Sequence, residues 1–204
     1  ISPSPFGRWG CLLHSEVHPV VNLAHNASDI KKRGRVEQTV ESVAKEEPEK
    51  LQVKITLPDD LKQILTNDWH LVVNQHKLVN LPAKPTITQI FDTYAKTAKL
   101  TEDEDVAAME GIKDYFNFSL SKQLLYEAEQ TQFKSLDVDT AMCDVYGLVH
   151  LLRMFTKFGT MLVYLQMDEK TQVFILDFIK KFLVYVSDNK SEMLSSEDYI
   201  SKST

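Results

Sequence analysis

The sequence predicts an all-α domain with at most one short β-hairpin, and three observations predict it. Apolar residues recur at three- and four-residue steps through most of the chain from Leu57 to Val186. Helix-starting chemistry precedes each of these stripes, at Pro58-Asp59-Asp60, Thr86 or Thr88, Thr101 to Asp105, and Asp168-Glu169. Alternation suited to a strand is weak and confined to Leu51 to Ile55.

The greasiest stretch, Val145 to Val186, reads as a helical hairpin on which everything else packs. Leu148, Leu151, Leu152, Phe155, Phe158, Leu162 and Leu165 form the stripe of its first helix. Arg153, Thr156, Lys157 and Thr160 occupy the opposite, partly wet side. In the second helix Val173, Ile175, Leu176, Phe178, Ile179, Phe182, Leu183 and Val186 leave few polar positions, so burial on most sides is expected.

Taken in order, residues 1–30 contain three prolines and two glycines without a sustained period and read as irregular. Lys31, Lys32, Arg33 and Arg35 form a basic cluster, followed by an acidic linker. The expected division is an N-terminal segment over 1–50 and a folded domain over 51–200. The first helix carries Leu57, Leu61, Ile64, Leu65, Trp69 and Val72 or Val73 on one stripe, and Leu81 to Pro85 breaks the chain. A second helix over about 86–99 puts Ile87, Ile90, Phe91 and Tyr94 inside. A third runs through Val106, Met109, Ile112, Tyr115, Phe116, Leu120 and Leu124 to Tyr126. Residues 127–144 read as a short helix and polar loop. Ser195 or Ser196 caps a last turn before the tail frays.

The net charge of −6 resides in residues 54–204, whereas residues 1–53 are balanced. An acidic folded part disfavours nonspecific nucleic-acid binding by that part. The two cysteines, Cys11 and Cys143, sit in unlike contexts and read as free thiols. His14 and His18 flank Glu16, but a zinc-protease helix needs the glutamate directly after the first histidine. Asn26-Ala27-Ser28 matches a glycosylation acceptor without a secretory signal beside it. Cys143 and His150 lack an acidic orienter, and His70 and His76 lack further ligands. With no phosphate loop either, no catalytic set, cofactor motif or metal site is expected. The chain reads as a binding module in which Trp69, with Leu57 and Leu65, edges an apolar groove. The Lys31–Arg35 cluster leaves a second reading, direct nucleic-acid binding. A third, a hydrolase using Cys143 and His150, requires a reactive thiol.

From about Lys31 to Tyr199 the chain resembles the MRG domain of the mortality factor 4-like chromatin proteins. The resemblance rests on KKRGRVEQTVE, LPDDL, NDWHLV, LVNLPAK, GIKDYFN, QLLY, VYG-x-x-HLLR-x-F and SSEDY, in the family's order. It implies a mostly helical fold, no enzymatic activity and no cofactor. The implied role is a nuclear adaptor joining histone acetyltransferase and histone deacetylase assemblies. Its shallow hydrophobic groove takes partner segments, some bearing a Phe-x-Leu-Pro motif. Carried over residue by residue, that groove comprises Leu57, Leu65, Thr66, Trp69, Tyr126, Thr156 and Lys157. The family pattern has valine where Thr66 and Thr156 stand and arginine where Lys157 stands. Each threonine thus puts a hydroxyl in an apolar site, and lysine cannot make arginine's bidentate fork. Ala128, Thr131 and Val149 also replace a phenylalanine and two prolines. Residues 1–30 show no aromatic-cage spacing, so no reading of methylated lysine is expected from them.

Overall fold

The computed structural model describes residues 55–137, 139–162, 167–194 and 198–201. The readings placed on residues 1–54, on Leu165 and on the Ser195/Ser196 cap therefore lie outside the described residues.

Helix α1, Asp59–Trp69, starts where Asp59 and Asp60 meet the unpaired N–H groups of its first turn, and a wider π-type turn, His70–Asn74, prolongs it. Strand β1, Lys77–Val79, follows. Helix α2, Ile87–Ala98, opens with a capping box: the Thr86 hydroxyl accepts from the Gln89 amide, and the Gln89 side chain accepts from the Thr86 amide. Helix α3, Asp103–Ser119, carries three acids in its first turn and is prolonged by a second π-type turn, Leu120–Leu124. A 3-10 turn, Glu127–Glu129, leads into the short α4, Gln130–Lys134. Helix α5, Leu148–Leu162, and helix α6, Glu169–Met193, complete the helical part. The Asp168 carboxylate caps α6 by accepting from the Thr171 amide.

Helices α5 and α6 meet through large side chains, with the Phe155 and Phe182 ring centroids 6.0 Å apart. Helices α2 and α3 each pack on both. Phe91 stacks on Phe182 at 4.7 Å, and Tyr115 meets Phe158 edge-on at 5.2 Å. The core is thus organised around the C-terminal helix pair, as the sequence leads one to expect. Burial within that pair departs from the expectation at particular residues, however. Arg153, expected on a wet face, is only 5% exposed, and on α5 from Leu148 to Phe155 every residue is buried. On α6 Val173 is 60% exposed and Val184 also faces water, so that helix buries one face only. The cause is α1, which packs across α5 and covers Arg153, whereas Thr156, Lys157 and Thr160 stay exposed as expected.

Further departures concern boundaries. Helix α3 stops short of Tyr126, which sits beyond the π-type turn, and Val106 is exposed. Within the tail, residues 199–201 are ordered into a strand: β2, Tyr199–Ser201, pairs antiparallel with β1, Leu78 opposite Ile200. The Asn80 amide continues the ladder to the Asp198 carbonyl at 2.7 Å. The two strands are far apart in sequence, so they form a closing pair and not a hairpin. Ile55, the described end of the stretch expected to be a strand, lies in none.

The proline-flanked connector 81–86 is pinned to the start of α5. Ala83 donates to the Val145 carbonyl and Ile87 to that of Tyr146, each at 2.8 Å. Gly147 is required there, because a Cβ would lie 2.7 Å from the Ala83 Cβ and 3.0 Å from the Pro85 oxygen. Gly147→Ala is expected to lower stability by about 1–3 kcal/mol through overpacking, read as a lower urea midpoint. An unchanged midpoint would mean that the connector yields freely.

Candidate functional site

Helix α1 places Leu65 and Trp69 one turn apart on one face. Leu65 borders an open depression of about 410 Å³, whose apolar side is completed by Leu124, Leu125 and Tyr126, where the π-type turn after α3 delivers the chain. Gln123, Arg153, Thr156 and Lys157 form its polar side. Trp69 stands beside Leu65 with 47% of its surface exposed, one of the few large apolar side chains left in water.

The structure therefore brings together four of the seven groove residues expected from the sequence: Leu65, Tyr126, Thr156 and Lys157. Trp69 stands next to them. Leu57 does not join them; at 5% exposure it belongs to the core and offers no accessible surface. Thr66 is exposed, and its hydroxyl donates to the Lys62 carbonyl at 3.0 Å. The Thr156 hydroxyl similarly donates to the Arg153 carbonyl at 2.6 Å. Each hydroxyl thus gives its proton to its own helix, leaving only its acceptor lone pairs toward the groove. Lys157 reaches across to donate to the Gln123 carbonyl.

Beneath the depression lies a charged group that sequence reasoning missed. Arg153 donates from Nε and Nη2 to the two Asp68 oxygens, both at 2.8 Å. Its Nη1 and Nη2 donate to Glu129 Oε2 at 2.6 Å and Oε1 at 3.1 Å, and Nη1 also reaches the Leu124 carbonyl at 3.1 Å. All five guanidinium N–H donors are engaged. Its Cζ lies 4.0 Å over the Tyr126 ring. Glu129 Oε2 also accepts from the Tyr126 amide at 2.8 Å, and the Tyr199 hydroxyl donates to Asp68 Oδ1 at 2.8 Å. One guanidinium thereby fixes the residue before Trp69, the backbone and ring of Tyr126, and the C-terminal strand.

His150 completes the group, its Nε2 lying 3.0 Å from Glu129 Oε1. A carboxylate only accepts, so Nε2 carries the proton. Burial pushes the His150 pKa down and the Arg153 charge adds to this, outweighing Glu129. Burial alone would raise the Glu129 carboxyl, but the hydrogen bonds from His150 and Arg153 and the Arg153 charge hold it down to about 2. The sequence did carry a signal for this group. Asp68 falls on the same helical stripe as Leu61, Leu65 and Val72, an acid where an apolar residue belongs.

Cys143 and His150 do not form a nucleophile and base. The buried Cys143 thiol donates to the Lys113 carbonyl at 3.4 Å, and burial pushes it up to about 12. The His70 ring forms a hydrogen bond with its helix neighbour Asn74, at 3.0 Å. Among the described residues no group of His, Cys, Asp and Glu could hold a metal ion, and no helix is long and apolar enough to cross a membrane. The basic residues Lys31, Lys32, Arg33 and Arg35 lie outside the described structure.

The sequence profile of the MRG family matches residues 31–201. The chain belongs to the MRG family. Its MRG domain is 39% identical over 180 residues to mortality factor 4-like protein 1 of Homo sapiens, covering 83% of this chain and 49% of that protein. Mortality factor 4-like protein 2 of Homo sapiens shows the same identity and length of match, covering 62% of that protein. For mortality factor 4-like protein 1 of Pongo abelii the share is 55%. The chain thus spans between half and two thirds of the length of these MRG relatives.

Proposed function

We propose that this MRG domain is the partner-docking part of a non-enzymatic, nuclear chromatin regulator. It holds an apolar segment of another protein across Leu65, Trp69 and Tyr126. By doing so it links subunits of histone acetyltransferase and histone deacetylase assemblies, some of them through Phe-x-Leu-Pro segments. The observation that carries this reading is the half-exposed indole beside an apolar depression whose walls are set by a rigid charged group. An indole held in that way costs little to order on binding and offers a large contact area. The pairing of His150 with Glu129 and the raised Cys143 thiol support the absence of catalysis.

A pull-down from nuclear extract tests the proposal. The wild-type chain is expected to retain acetyltransferase and deacetylase subunits, identified by mass spectrometry. Thr156→Arg, an exposed helical position whose longer cationic side chain would fill the depression, is expected to lose them while keeping its helical circular dichroism. Equal recovery by both proteins would remove the docking role.

A further inference from the structure

We infer that the segment docking in this depression carries a carboxylate that pairs with Lys157, so that the preferred partner is an apolar peptide with one acidic residue beside its anchors. The inference rests on the docking role proposed above and adds the chemistry of the partner. Two charged side chains line the depression, Arg153 and Lys157, and no acid does. Arg153 has no donor left, and two carboxylates face its charge. Lys157 differs. It is exposed, and its ammonium meets a neutral acceptor, the Gln123 carbonyl, which leaves two of its three N–H groups for a ligand. Among the described residues Lys157 has no carboxylate within ion-pair distance; other exposed lysines such as Lys99 and Lys134 share this, but Lys157 alone of the lysines lines the depression. The net charge of −6 works against an anionic occupant at long range, so the preference is a contact effect. An exposed ammonium with no carboxylate partner, held by a backbone carbonyl at the rim of an apolar hollow, favours an anionic group placed directly against it. The Thr156 hydroxyl is already committed to its own helix and does not compete.

Fluorescence anisotropy with labelled Phe-x-Leu-Pro peptides tests this. A single glutamate is walked through the flanking positions, and each peptide is compared with its glutamine counterpart. At least one register is expected to bind about 5- to 10-fold tighter with glutamate, an advantage that shrinks in 0.5 M salt. Lys157→Met is expected to abolish that advantage, read as the ratio of glutamate to glutamine affinity within the variant, whatever the variant does to glutamine-peptide binding or to the melting temperature. Glutamate and glutamine peptides binding alike in every register would overturn the inference. So would an advantage that survives in Lys157→Met, or a Lys157→Met variant that melts earlier yet keeps the advantage, which would make Lys157 a cap for the Gln123 carbonyl alone. Glutamine peptides that bind wild type and Thr156→Arg equally would instead defeat the docking role itself.

Discussion

Arg153→Met is expected to lower the unfolding free energy by about 3–5 kcal/mol, the usual cost of removing one partner from a buried charge pair. Methionine fills much of the arginine volume, so the loss comes from what stays behind. Asp68 and Glu129 remain buried without their cation, and the Leu124 carbonyl loses a donor. Replacing Asp68, Glu129 and Arg153 together by leucine or methionine should recover most of the loss, because apolar side chains of similar volume leave no uncompensated charge. Acid denaturation offers a second readout. The Glu129 pKa is depressed in the folded state, so its contribution is present above the ordinary value of 4.5 and disappears as pH falls toward about 2. His150, also depressed, adds a loss that begins as pH drops through its ordinary value of 6.5, where the unfolded chain takes up a proton that the folded chain refuses. In Arg153→Met the Glu129 carboxyl loses a charge that held it down, and its share of the acid limb should shrink. A stability loss below about 1 kcal/mol with an unchanged acid limb would refute the view that this group holds the site together.

Trp69→Ala is expected to weaken peptide binding by about 30- to 1,000-fold, or 2–4 kcal/mol, the range of an aromatic hot spot. The same substitution should cost the isolated fold little, since nearly half of the residue already faces water. The separation between the two readouts is the test. Titration with a labelled Phe-x-Leu-Pro peptide gives the affinity, and urea unfolding followed by circular dichroism gives the stability. Unchanged affinity would remove Trp69 from the docking surface. A large stability loss would show that the buried half of the indole contributes to the fold.

Much of the helical framework was legible because its signals are local. Thr86 caps α2 through residues three positions away, and Asp168 does the same for α6. The stripe Ile87, Ile90, Phe91 and Tyr94 follows from helical spacing alone and is buried as expected. Of the groove residues, Leu65 and Trp69 share a face for the same reason, and Tyr126 joins them only because a π-type turn ends α3 early and turns the chain toward α1. No local pattern marks such a turn. Leu57 misled because its position next to the helix start is compatible with either rim or core, and packing chose the core.

Arg153 shows most clearly where sequence reasoning ends. Residue types and spacing by themselves determined that this chain forms α-helices, where most of them begin, and that their stripes converge on the C-terminal pair, since periodicity and capping act over a few residues. Thr156, Lys157 and Thr160 are wet as their spacing implied, but the burial of Arg153 was decided only when α1 crossed α5 and delivered Asp68, 85 positions away, to a guanidinium that also meets Glu129, 24 positions away. The pairing of β1 with β2 was decided in the same way, at a separation of more than one hundred residues. A charge is buried when its partners arrive, and a strand forms when its complement does. Both conditions belong to the three-dimensional arrangement, and on them depend the walls of the depression and the exposure of the indole beside it.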